Sequence, residues 1–94
     1  MDRNIEISIE GTTRAAAVRG VDALTLYRSE YRSVLDLLVG RGYGTAATLN
    51  AEARRYATRF YGPCPDDGMA AAAWWTLGLY CVQGEKEYGD PDLD

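Results

Sequence analysis

The sequence predicts an α+β domain: a short N-terminal β-hairpin packed on three α-helices, with the last helix central. Three observations predict it. Ile5, Ile7 and Ile9 alternate with polar residues, as a half-buried strand requires. Two later stretches carry apolar residues at three- and four-residue spacing, and residues 69–82 are apolar almost throughout. An all-α three-helix bundle with one leading strand is the alternative reading.

The first strand is expected over residues 4–10, with Glu6 and Glu10 on its outward side. Gly11-Thr12 supplies a turn into a second, weaker strand over 13–19. The run Ala15-Ala16-Ala17 favours helix and pulls against that second strand. Asp22 can cap a helix that runs to about Val39. Leu24, Tyr27, Tyr31, Val34, Leu35 and Leu38 form its stripe, and Gly40 and Gly42 stop it. Thr45 or Thr48 can cap the next helix, which ends near Tyr61 with Leu49, Ala53, Tyr56 and Phe60 on one face. Gly62-Pro63-Cys64-Pro65 breaks the chain, and Asp66 and Asp67 suit the start of the third helix.

That third helix differs in kind. Between residues 69 and 82 only Thr76 is plainly polar and only Gly78 interrupts. A helix apolar all round sits at the centre of a fold or against another chain. The adjacent Trp74 and Trp75 must point about 100° apart on it, so one enters the core and the other a neighbouring face. Gly84 is expected to end it. Residues 1–83 then form one compact domain and 84–94 an acidic flexible tail.

Charge and composition narrow the chemistry. Residues 1–83 carry nine acids and nine arginines, whereas 84–94 carry five acids and one lysine. The body is neutral and the acidity lies in the tail, which argues against generic nucleic-acid binding. No stretch reaches the roughly 20 apolar residues of a membrane span, and none reads as a signal peptide, so a cytoplasmic protein is expected. Cys64 and Cys81 sit near opposite ends of the third helix, roughly 24 Å apart, too far to bridge.

The chain has no histidine, which removes every Ser-His and Cys-His nucleophile arrangement. Two cysteines supply too few ligands for a tetrahedral zinc site. Asp66 and Asp67 are explained by helix capping, so no catalytic residue, metal or cofactor is expected. Binding is left. Arg54, Arg55 and Arg59 cluster on one helix, and Arg55 and Arg59 repel each other at i,i+4 unless something compensates. Seven tyrosines, two tryptophans and these arginines are residue types enriched at binding hot spots. The expected contact residues are Arg54, Arg55, Arg59, Trp75, Glu6, Glu10, Asp90 and Asp92. A strand-and-two-helix DNA reader is excluded, because the outward Glu6 and Glu10 would repel phosphates.

In size, neutral-to-acidic charge and lack of catalytic residues, the chain resembles the small phage-encoded anti-CRISPR inhibitors. The resemblance is one of class, since those proteins share no common fold. It implies a stoichiometric blocker that docks on a nucleic-acid-handling protein complex, with Glu6, Glu10, Asp90, Asp92 and Asp94 meeting basic surfaces. The competing expectation is a homodimeric structural or adaptor protein. There the apolar third helix would pack on its own copy through Ala70–Ala73 and Gly78.

Overall fold

The computed structural model describes residues 2–89 and contains four helices and no strand among them. They are α1 (Arg3–Arg19), α2 (Ala23–Gly40), α3 (Ala46–Tyr61) and α4 (Gly68–Tyr88). The expected β-hairpin is therefore absent, and both the α+β class and the leading strand of its alternative are corrected. The fold is all-α.

The correction has a plain cause in α1. Ile5 and Ile9 satisfy a two-residue period, but they also stand four apart on one helical face. In the fold Ile5 is buried and Ile9 half-buried, and the face continues through Ser8, Thr12 and the buried Ala16. Ile7, the third member of the alternation, points to solvent at 53% exposure. Capping reinforces the helix. The Asp2 carboxylate accepts from the backbone N–H of Asn4 at 2.8 Å and of Ile5 at 3.4 Å. At the other end Gly20 takes a left-handed conformation, φ 69°, and returns its N–H to the carbonyl of Ala17. Gly11, expected as a turn, lies in mid-helix.

The remaining helices begin where their caps predict. Asp22 accepts from Thr25 N–H at 3.3 Å, Thr45 and Thr48 form a reciprocal capping box, and Asp67 accepts from Ala70 N–H at 3.0 Å. The end of α4 is displaced from the expectation. Gly84 lies inside it, and the helix runs on to Tyr88. Two pairs hold the added turn: Lys86 with Glu52 at 3.4 Å, and Glu87 with Arg41. Residues 84–88, expected in the tail, are therefore part of this helix.

As the sequence implies, α4 is central. It packs against each of the other three helices, most extensively against α3. Ala70, Ala73, Trp74, Gly78, Leu79 and Val82 are buried along it. Its one fully buried polar residue, Thr76, donates to the carbonyl of Ala72 at 2.8 Å, so its hydroxyl is not stranded. Trp74 likewise donates its indole N–H to the carbonyl of Gly62 at 2.9 Å. The core falls into two clusters. One joins Ile5, Tyr27, Ala57 and Trp74; the other joins Leu38, Leu49, Tyr56, Leu79 and Val82, and Trp75 packs against both.

Candidate functional site

Two grooves, each about 540 Å³, flank α4. The first runs between α2 and the N-terminal half of α4. Its floor is Tyr27, Tyr31, Leu35, Ala72 and Trp75, and Arg28 and Arg32 stand exposed beside them. The aromatic rings hold one another in place. Trp75 meets Trp74 edge-on with centroids 5.2 Å apart, and Tyr31 edge-on at 6.3 Å. Tyr31 also donates its hydroxyl to the Asn50 side chain of α3, which spans the groove at one end. Burial pushes the Tyr31 phenol above its ordinary range.

Charge on this groove is one-sided. Arg28 and Arg32 stand one turn apart on α2. Arg32 pairs with Asp36 at 3.4 Å, with both side chains largely exposed. Among the described residues Arg28 meets no carboxylate within 4.0 Å, so it remains available.

The second groove lies where the N-terminus of α1 approaches the C-terminal halves of α3 and α4. Phe60, Tyr61, Cys81, Glu85 and Tyr88 line it, with Asn4 at its edge. The Tyr61 hydroxyl and Cys81 thiol are 3.9 Å apart. Burial, the neighbouring Cys81 and the charge of Asp2 push the Tyr61 phenol up to about 12. Burial also raises the Cys81 thiol, while the Tyr61 contact lowers it, and the net effect is upward. That is the opposite of what an activated nucleophile requires. Cys64 and Cys81 are both free.

The residues singled out in the sequence are scattered over the surface. Arg54, Arg55 and Arg59 are exposed on α3, as expected, but they border neither groove floor. Arg55 lies over the Tyr56 ring at 5.9 Å and Arg59 over Phe60 at 5.4 Å, so aromatic faces offset part of their mutual repulsion. Trp75 is half-buried in its own chain and still lines the first groove. Glu6 and Glu10 are exposed one turn apart on α1, a helix face where a strand face was expected. Asp90, Asp92 and Asp94 lie outside the described residues.

Sequence reasoning missed Arg28, Arg32, Tyr61, Glu85 and Tyr88. The i,i+4 spacing that drew attention to Arg55 and Arg59 is equally present in Arg28 and Arg32. Only the packing of α2 on α4 shows which pair borders a groove. Glu85 was hidden because Gly84 was read as the end of the helix.

Among the described residues, no group of three or more histidine, cysteine, aspartate or glutamate side chains is placed to hold a metal ion. No described helix is long and apolar enough to cross a membrane. Comparison with known protein families, curated proteins and solved structures found no match.

Proposed function

We propose that this chain is a non-enzymatic protein-binding module, and that the groove between α2 and α4 receives the partner. One observation carries the reading: an open aromatic floor with Trp75 and Tyr31 is bordered by arginines, one of which has no carboxylate partner among the described residues. Such a surface fits a partner segment with an apolar or aromatic anchor flanked by Asp or Glu. The anchor would fill the groove, and the carboxylates would meet Arg28 and Arg32 in charge-assisted hydrogen bonds.

The homodimer reading required the small residues of α4 to face a second copy. Gly78, Ala70 and Ala73 are buried within the chain, and Gly78 lies against α3, so the proposal does not use them. The narrower inhibitor reading drew on an acidic tail from residue 84. Glu87 and Lys86 are paired inside the body, and Glu6 and Glu10 remain as its described acidic contacts. The partner is therefore defined by its chemistry, an apolar or aromatic anchor flanked by carboxylates.

Selection of a random peptide library on the immobilised protein tests this. Enriched peptides should share an aromatic or aliphatic anchor next to acidic residues. They should change the fluorescence of Trp75 and lose at least tenfold in affinity to an Arg28→Glu, Arg32→Glu double variant. Enrichment of basic or uncharged peptides, or binding indifferent to the double variant, would sink the proposal.

A further inference from the structure

Two glycines of α4 stand in opposite surroundings. A Cβ added at Gly78 would strike Ala53 and Ala57, because α3 lies directly over it. A Cβ added at Gly68 would meet nothing within 4 Å, although Gly68 lines the α2–α4 groove with Ala72 one turn further on. One glycine of the helix is covered by a neighbouring helix, and the other is left open to the groove. Facing Gly68 and Ala72 across that groove are Leu24 and Leu35 of α2, both half-buried, with Tyr27 and Tyr31 between them. A row of large side chains beside a trough of small ones is a surface onto which a further helix packs, ridge into groove.

Hydrogen bonding in the floor decides the form of the occupant. The long walls are helices, whose backbone groups are bonded within each helix, so they offer no row of partners to another backbone. Of the floor's polar side chains, Tyr27 shares a hydrogen bond with Ser8, Tyr31 donates to Asn50 and Thr76 donates to the carbonyl of Ala72. Past the first turn of α4 and apart from the two arginines at the rim, the donors left among the described residues are the Trp75 indole N–H and the Asn50 amide. An extended segment laid across this floor would lose water from its own N–H and C=O groups with little in return. A helix satisfies those groups internally and presents side chains alone. From Leu24 to Leu35 the groove follows α2 for roughly 16 Å, or about three helical turns.

We infer that the partner segment enters this groove as an amphipathic helix of about three turns, seated over Gly68 and Ala72 with its acidic edge toward Arg28 and Arg32. The inference rests on the protein-binding reading of the groove and specifies its partner. Arg28 and Arg32 stand one turn apart, so carboxylates one turn apart on the incoming helix would meet them. A free peptide of this length is marginally helical in water, so it gains helix as it docks.

Two peptide pools of equal length and composition, with blocked ends, test this on the immobilised protein. In one pool apolar residues recur at three- and four-residue spacing with Asp and Glu beside them; in the other the same residues alternate singly. The helical-period pool should be enriched, and its bound peptides should add helical circular dichroism beyond the sum of the separate components. Gly68→Leu, whose side chain enters open space, should leave the urea midpoint unchanged and cut the affinity of those peptides at least tenfold. Ala72→Leu, one turn on, should weaken them in the same way. Enrichment of the alternating pool would overturn the helical occupant while leaving the groove as a protein-binding site. Enrichment of neither pool would overturn both. Binding without added helix, or undiminished binding in both filled variants, would overturn the inference alone.

Discussion

The two faces of α4 are built on opposite principles. Toward α3 it presents small residues, and the backbones approach until side chains are excluded. A Cβ added at Gly78 would stand 2.9 Å from the Cβ of Ala57 and closer still to the carbonyl oxygen of Ala53. Toward α2 it presents Trp75, which meets Tyr31 edge-on and leaves an open groove. Close helix packing at Gly78 leaves no room for a side chain on one side. Large rings on the other side set the spacing, and a groove remains between them. If the α2–α4 groove binds as proposed, stability and recognition fall on different faces of one helix.

The two tryptophans give the largest test of this division. Trp74 is 1% exposed and its indole N–H is satisfied, so Trp74→Ala should cost roughly 3–5 kcal/mol. Trp75 is half-buried, and Trp75→Ala should cost about 2 kcal/mol while removing most of the groove's affinity for its partner. Urea unfolding of both variants would measure the gap. Equal losses would mean that the groove face is as structural as the α3 face.

Gly78→Ala probes the close side directly. The added methyl meets a backbone oxygen, which cannot rotate away, so α3 and α4 must part. Overpacking of this kind should cost about 1–3 kcal/mol, read as a lowered urea midpoint. An unchanged midpoint would show that the helices are not in backbone contact there.

Much of this division could be read from the sequence, and its limits are physical. The central position of α4 follows from a run in which no residue from 69 to 82 is charged. The caps at Asp22, Thr45 and Asp67 were visible for the same local reason: short polar side chains directly before periodic apolar runs. The N-terminal helix was misread because three isoleucines satisfy two periods at once, and Ile5 and Ile9 decide between them only when the partner surface is known. The grooves were not legible at all. Arg28 and Glu85 acquire meaning from the residues brought beside them by α4, and no local pattern records that.

The smallest expected effect separates those two readings of the N-terminus and sharpens the contrast with Gly78. Gly11 lies in the middle of α1, and a Cβ built there meets nothing within 4 Å. In that setting a glycine only adds backbone freedom to the unfolded chain. Gly11→Ala should therefore stabilise the protein by about 0.5–1 kcal/mol, with slightly stronger helical circular dichroism. A hairpin with Gly11 in its turn predicts the reverse, because a glycine turn position with positive φ resists a side chain. The same substitution thus carries opposite signs at residues 11 and 78, although both lie inside helices. At Gly11 the substitution reports the backbone alone. At Gly78 it reports the neighbouring helix.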